Sequence, residues 1–182
     1  MKSVLISIQP KWCELIARGK KTVEVRKTRP KLETPFKVYI YCTEKDYDKI
    51  FCVDKLMHKV FLNGKGKQKV IGEFVCNEIE EYHADDFLYG TYDIGDDEVI
   101  RTCLADGLLW EYGKGGNLYG WHISNLVIYD EPKDLSEFKK VSNGANKCRQ
   151  EFFGKDFCDK YYSDLKVTRP PQSWCYVWSE TE

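Results

Sequence analysis

Gly19-Lys20-Lys21-Thr22-Val23-Glu24-Val25-Arg26 is the stretch of this sequence that decides the fold. A glycine readily adopts the positive φ that ends a helix, so Gly19 marks the end of the helical pattern before it. From Thr22 onward valines alternate with charged residues, and this period of two is typical of a β-strand. We expect Val23 and Val25 to face the core, with Lys21 pointing to the same side. The stretch therefore predicts a helix that leads directly into a strand carrying charged side chains.

The segments around this stretch predict mostly short strands. Pro10 begins the preceding helix, because a proline at the first helical position loses no hydrogen bond. β-Branched runs between turn residues predict further strands at 3–8, 37–43, 69–78, 119–130 (ended by Pro132) and 173–178. We also expect a hairpin tip at 64–67, a short helix at 97–104 and one helix within 139–169. Short strands with a helix inserted after the first predict an α+β fold, a mixed β-barrel with flanking helices.

Charge is unevenly distributed along a chain whose formal net charge is only -1. Residues 1–69 hold 17 Lys and Arg against 7 Asp and Glu, residues 70–137 hold 3 against 16, and residues 138–182 hold 8 against 6. A basic first segment on one surface suits a polyanion such as nucleic acid. The alternative is that the basic and acidic segments neutralise each other in the fold.

The composition bounds the class of protein. With 182 residues and 42% hydrophobic residues, the chain is long enough for one domain with a sizeable core. It has no apolar run that could span a membrane and no signal-peptide pattern at its start, so we expect a soluble, cytoplasmic protein. The eight cysteines form no C-x-x-C pair, and we expect most to be reduced and buried. A disulfide between Cys148 and Cys158 is the one alternative.

Strand parity points to a candidate pair for binding or catalysis. In the strand 69–78, Glu73 shares parity with Ile71 and Val75, so it points into the barrel if that face is the inner one. A buried carboxylate needs a cationic partner, and we choose Lys21 for that role. The alternative is that Phe74 and its neighbours face inward and Glu73 is solvated. Glu24 and Arg26 share the other face of their strand, where they could pair with each other or hold a polar ligand.

Aromatic residues near the basic segment could stack on an unpaired base, although core packing is the commoner fate of tryptophan. Trp12, Trp121 and Trp174 are the candidates for such stacking. Other chemistries lack their patterns: the three histidines have no metal-ligand spacing, residues 64–67 are not a P-loop, and no nucleophile elbow occurs. We therefore predict no metal site and no cofactor.

The chain resembles the ASCH domain family, which has the PUA-like β-barrel fold. The resemblance rests on four stretches: Ser7-Ile8-Gln9-Pro10-Lys11-Trp12, Ile16-Ala17-Arg18-Gly19-Lys20-Lys21-Thr22-Val23-Glu24-Val25-Arg26, Val70-Ile71-Gly72-Glu73-Phe74 and Tyr119-Gly120-Trp121-His122-Ile123-Ser124. The sequence has no internal repeat or low-complexity linker, so we expect a single domain over 1–182, in which the resemblance covers a core at 3–138 and leaves a C-terminal extension at 139–182. In that extension the strand 173–178 is similar to the closing strand of longer bacterial or phage-type members.

The resemblance implies that RNA or a modified nucleoside binds in a basic cleft beside the barrel. The ligand-binding residues would be Gln9, Trp12, Lys20, Lys21, Glu24, Arg26, Glu73, Trp121 and Trp174. Some shorter family members are amidohydrolases that deacetylate N4-acetylcytidine, and their catalytic Lys and Glu match Lys21 and Glu73. Glu24 stands where those enzymes have a Thr nucleophile, so an enzyme here would need a water oriented by Glu24.

The sequence thus leaves three hypotheses: a module that binds RNA or a modified nucleotide, which we favour, a small amidohydrolase acting on an N4-acylated cytidine nucleoside, and a protein-interaction accessory. The last would use the acidic segment 82–111.

Overall fold

The computed structural model describes residues 1–43, 68–84, 90–141 and 166–179. Two predictions lie outside these ranges: the hairpin tip at 64–67, and most of the segment 139–169 with its helix and the Cys148–Cys158 alternative. The prediction of a single domain over 1–182 is not tested by the described residues.

Seven described strands form one mixed sheet in the order β2-β5-β4-β3-β1-β7-β6. The strands are β1 (Lys2–Ile8), β2 (Val23–Arg26), β3 (Phe36–Cys42), β4 (Val70–Tyr82), β5 (Leu118–Lys133), β6 (Lys139–Lys140) and β7 (Trp174–Trp178). β1 pairs in parallel with β3 and antiparallel with β7, and the remaining pairs are antiparallel. The α+β class is confirmed, but the closed barrel is wrong: β2 and β6 are the two ends of an open sheet.

Three described α-helices flank the sheet: α1 (Pro10–Ala17), α2 (Asp96–Thr102) and α3 (Asp106–Gly113). Helix α1 begins at Pro10 and is followed by Gly19 at φ +68°, as the sequence predicts. Helix α3 was not predicted. Its sequence carries Gly107 and ends at Gly113, residues that favour a turn over a helix.

The apolar side chains lie in three clusters on the two faces of the sheet. The largest contains Val38, Ile40, Phe74 and Trp121 and is covered by α1. The second lies on the opposite face of β1, β3 and β7 and includes Tyr39 and Phe138. The third lies where α2 and α3 cover β2 and the adjoining ends of β4 and β5, with residues Val25, Tyr82, Tyr92, Leu109 and Leu118.

Strands β4 and β5 extend beyond their predicted bounds. β5 continues through Pro132 to Lys133, and β4 reaches Tyr82 rather than ending at residue 78. The two strands pair along most of their length with several register shifts. This long pairing carries β5 out to β2, which is hydrogen-bonded to it at the end of the sheet.

Candidate functional site

A cavity of about 870 Å³ opens where the ends of β1 and β2 approach α1 and α3. Its volume is in the range typical of small-molecule sites, roughly 300–1,000 Å³. The lining residues come from five parts of the chain: Ser7, Ile8, Gln9, Lys11, Trp12, Lys21, Glu24, Val25, Arg26, Thr43, Leu104, Leu108, Glu111, Tyr112, Lys114, Pro170, Pro171, Gln172 and Ser173. The segment before β7 thus contributes to the same cavity as the Lys21–Arg26 stretch.

Lys21, Glu24 and Arg26 form a buried charged triad at this cavity. Their residues are only 2%, 5% and 9% exposed. Glu24 Oε1 lies 2.9 Å from Arg26 Nη2, and Glu24 Oε2 lies 3.5 Å from Lys21 Nζ. One carboxylate therefore balances two buried cations, which leaves the triad with a net positive charge.

Backbone carbonyls hold the two cations in place. Lys21 Nζ donates a hydrogen bond of 2.6 Å to the carbonyl of Thr102, the last residue of α2. Arg26 Nη2 donates one of 2.7 Å to the carbonyl of Ser7 in β1. Arg26 thereby connects β2 to β1, which are not adjacent in the sheet.

Burial alters the protonation of Lys21. It lowers the pKa of the Lys21 ammonium below its ordinary value of 10.5, although the Glu24 carboxylate acts in the opposite direction. Lys21 therefore gives up its proton more readily than an exposed lysine. A lysine with this property can take part in proton transfer.

Three buried polar atoms of cavity residues have no hydrogen-bond partner in the described part of the chain. They are Glu24 Oε2, Arg26 Nε and Thr43 Oγ1. Leaving a buried polar atom unpaired costs roughly 1–3 kcal/mol, so such atoms call for an explanation. A polar ligand with both donors and acceptors would supply it.

The wall and the rim of the cavity add aromatic and charged groups. Trp12 and Tyr112 line it from α1 and α3, and the Trp12 ring centroid lies 5.3 Å from Lys21 Nζ. Lys11 Nζ lies 4.5 Å from the same centroid. Among the described residues, four cationic side chains line the cavity (Lys11, Lys21, Arg26 and Lys114) against two anionic ones (Glu24 and Glu111). The described lining thus combines aromatic rings with an excess of cations.

The predicted pairing of Lys21 with Glu73 is wrong. Glu73 Oε1 accepts a hydrogen bond of 2.7 Å from Lys37 Nζ, and Oε2 accepts one of 2.5 Å from the Tyr129 hydroxyl. Burial alone would raise the pKa of Glu73, but these two hydrogen bonds bring it below its ordinary value of 4.5. Glu73 pairs with Tyr39 across the sheet and does not line the cavity.

Val23 and Val25 are buried, as the sequence predicts, but the charged face of β2 is buried as well. Val25 packs into the cluster under α2 and α3, whereas Glu24 lies opposite Trp121 of the main core. Period-two alternation separates the two faces but does not say which one meets the larger core. Lys21 precedes the strand, so strand parity does not fix its direction.

The other predicted ligand residues divide into two groups. The cavity brings together Gln9, Trp12, Lys21, Glu24 and Arg26. Trp121 has no exposed surface and lies outside the lining, in the main hydrophobic cluster. Trp174 lies outside the lining, where its Nε1 donates to Thr28 and its ring contacts those of Trp121 and Tyr176, and Lys20 is exposed outside the lining.

Sequence reasoning missed the contribution of α3 and the segment before β7. Tyr112 and Lys114 lie in a glycine-rich run that reads as a turn, and Gln172 follows two prolines. An aromatic residue beside lysine and glycine was the available signal for Tyr112. No sequence feature indicated that Thr102 would accept a hydrogen bond from the Lys21 ammonium, because the acceptor is a backbone carbonyl.

Among the residues that the structure describes, none of those lining the cavity is a His or a Cys. In the described part of the chain, Glu80, Glu98 and His122 form a group whose ligand atoms all lie within 4.8 Å of one another, on the face of the sheet that carries α2. The five described cysteines, Cys13, Cys42, Cys76, Cys103 and Cys175, are free thiols, and the first three are buried. No described helix has the length and apolar character needed to cross a membrane.

Comparison with known proteins relates the N-terminal half of this chain to a known domain family. Residues 6–87 match the family model of the ASCH domain, which confirms the family predicted from the sequence. The matched range includes all of the triad and Trp12. No curated protein matches the chain at a significant level.

Solved structures of an ASCH protein from Zymomonas mobilis share the fold. One is 17% identical, with a TM-score of 0.51, and the alignment covers 98% of this chain and 89% of that chain. A single-residue variant of the same protein is 18% identical with a TM-score of 0.50 and the same coverage. At this identity the likeness concerns the fold alone.

Proposed function

We propose that the cavity binds one unpaired nucleotide, either within single-stranded RNA or as a modified nucleoside. The observation that carries this proposal is a set of three buried atoms at one cavity that make no hydrogen bond within the described residues: Arg26 Nε, Thr43 Oγ1 and Glu24 Oε2, which keeps only its 3.5 Å ion pair with Lys21 Nζ. A base edge offers the complementary mixture of N–H donors and carbonyl or ring-nitrogen acceptors. Glu24 would accept from the base, and Arg26 would donate to it.

Two further features support a nucleotide rather than another polar ligand. Trp12 and Tyr112 provide flat surfaces, and stacking of a base on an aromatic side chain contributes roughly 1–3 kcal/mol. Lys11 is exposed and Lys114 lies at the same rim, where their ammonium groups can reach the phosphates that flank a bound base. The family to which residues 6–87 belong is often linked to RNA binding.

Titration of the protein with single-stranded RNA, duplex RNA and free nucleosides at two salt concentrations tests the proposal. We expect salt-sensitive binding to the single strand that exceeds binding to the duplex. Lys21→Met should weaken binding about tenfold, because it removes the ammonium that holds Glu24 in position. Lys20→Met is the matched control, since Lys20 is exposed and outside the cavity. Absence of binding, or equal binding by both variants, would refute the proposal.

A second candidate function rests on the lowered pKa of Lys21 and its 3.5 Å approach to Glu24 Oε2. In this hydrolase, water held by Glu24 would add to the acyl carbonyl of an N4-acylated cytidine. The C–N bond would break, and Lys21 would pass a proton to the departing amine. Incubation with N4-acetylcytidine decides the matter: cytidine and acetate must appear with wild type and disappear with Lys21→Met. If no cytidine forms at high protein concentration, the chain is a binding module only.

A further inference from the structure

A second group of polar side chains lies on the face of the sheet opposite the Glu24 side of β2. Glu80 of β4 is paired with Gly120 of β5, and His122 lies two residues further along β5, so both side chains share one face. Glu98, in the first turn of α2, approaches them from above the sheet. His122 Nε2 lies 3.2 Å from Glu98 Oε1 and 3.7 Å from Glu80 Oε2.

We propose that Glu80, Glu98 and His122 bind a divalent transition-metal ion of the Zn²⁺ type. One imidazole and two carboxylates are ligands that Zn²⁺ accepts in protein sites. Two donors, each bonded tetrahedrally to one Zn²⁺, lie roughly 3.4 Å apart. The separations of 3.2 and 3.7 Å are on either side of that value, so an ion fits with small side-chain adjustments.

The state of His122 independently favours a ligand. Its Nε2 atom is buried and makes no hydrogen bond within the described residues, although Glu98 Oε1 is only 3.2 Å away. The imidazole is therefore not aligned as a hydrogen-bond donor to that carboxylate. An Nε2 atom without a donor role can present its lone pair to a metal ion.

The Glu98 carboxylate is held by neighbouring polar groups, as the carboxylates of metal ligands commonly are. The Tyr82 hydroxyl donates a hydrogen bond of 2.7 Å to Glu98 Oε1, and Arg101 Nη1 lies 3.5 Å from the other carboxylate oxygen. Ligating carboxylates are commonly held by such partners. Arg101 is more than half exposed, so this ion pair offsets the charge of Glu98 only weakly.

An ion at this position would join α2 to the sheet. Helix α2 ends at Thr102, whose carbonyl accepts the hydrogen bond from Lys21 at the cavity. The metal would thus hold the start of this short helix to the sheet, and the carbonyl at the other end of the same helix positions Lys21 at the cavity. The metal proposal does not depend on the proposed function of the cavity.

Titration of the full-length protein with Co²⁺, a spectroscopic substitute for Zn²⁺, tests this site. We expect one ion per chain, with the weak visible bands of nitrogen and oxygen ligation and without the strong near-ultraviolet bands of thiolates. Zn²⁺ should displace Co²⁺ and raise the thermal unfolding temperature. No bound Co²⁺, or thiolate bands, would overturn the proposal.

Matched variants locate the ion. Affinity for Co²⁺ should fall at least tenfold in His122→Asn and in Glu80→Gln, and should be unchanged in His83→Asn and Glu78→Gln, whose side chains are exposed on the same strand region. Glu80 is half exposed, so Glu80→Gln remains informative if His122→Asn fails to fold. Tyr82→Phe, which keeps the ring and removes the hydrogen bond to Glu98, should weaken binding about tenfold. Equal affinity in all variants would contradict the assignment.

Discussion

Glu24 is the central residue of the charged triad at the cavity, because its single carboxylate faces two buried cations. The sequence showed that Glu24 and Arg26 share a face and left open whether they pair with each other, and the structure confirms that pair. The partner of Lys21 could not be predicted. Either Glu73 of a distant strand or Glu24, three residues along the chain, could lie nearer to Lys21. The fold decides between them, and no pattern in the sequence encodes that distance.

Replacing Glu24 with glutamine should lower the free energy of unfolding by about 3–5 kcal/mol, since Lys21 and Arg26 would remain buried without a counter-charge. The matched variant Glu73→Gln should cost about 1 kcal/mol or less, because its partner Lys37 is 38% exposed. Urea denaturation of both variants measures the difference. Equal losses would show that Glu24 is no more critical than a surface ion pair.

Because the pKa of Lys21 is lowered, the free energy of unfolding depends on pH in the alkaline range. Unfolded Lys21 keeps its proton up to about pH 10.5, whereas folded Lys21 releases it at lower pH. Between these two values the unfolded chain binds more protons, so the free energy of unfolding rises with pH. The free energy of wild type relative to Lys21→Met should therefore increase across this window, by at most about 1.4 kcal/mol per pH unit. A flat or falling difference would contradict the burial of a charged Lys21.

At the scale of elements, the strands and the burial of the β2 valines could be predicted, but not which hydrophobic cluster each face of a strand meets. Val23 and Val25 alternate with Glu24 and Arg26 as a strand requires, yet helices α2 and α3 cover the valine face and leave the charged face toward the main core. Nothing near Val23 indicates that residues 96–113 will fold over it. For Glu73 the parity itself fails: Ile71 packs in the main cluster, whereas Glu73 lies opposite Tyr39 of the second cluster, and the register shifts at residues 70–72 between them.

The pairing of β4 with β5 should tolerate no side chain at Gly72. A Cβ there would lie 2.4 Å from the carbonyl oxygen of Val127, which is backbone and cannot turn aside. Gly72→Ala should therefore lower the free energy of unfolding by about 1–3 kcal/mol. Gly95→Ala is the control, since a Cβ at Gly95 meets nothing within 4 Å and its φ is an ordinary -69°. Thermal unfolding of the pair measures the contrast, and equal melting temperatures would contradict this close approach.

At the scale of the whole molecule, the open sheet creates the cavity. β1 pairs with β3 and β7, so its end is left facing β2 at a distance that Arg26 bridges through the Ser7 carbonyl. The sequence predicted a closed barrel, because the number and length of strands indicate a sheet but not whether its ends meet. It predicted a cleft beside the Lys21–Arg26 stretch, and the structure places the cavity there.

The basic rim should control the salt dependence of binding. Lys114→Ala should reduce the slope of log affinity against log salt for single-stranded RNA by about 0.7, the value for one lost phosphate contact. Lys139→Ala removes an exposed lysine in β6 and should leave the slope unchanged. Affinities measured at several salt concentrations give both slopes. Identical slopes in the two variants would remove Lys114 from the interface.

The affinity of Trp12→Ala for single-stranded RNA tests the central claim most directly. Trp12 lines the cavity, whereas Trp178, the control, is 46% exposed in β7 outside it. If an unpaired base occupies the cavity, Trp12→Ala should weaken binding about 5- to 150-fold, as expected for the loss of one stacked base, and Trp178→Ala should bind like wild type. RNA binding that is unaffected by Trp12→Ala would show that the cavity is not the nucleotide site.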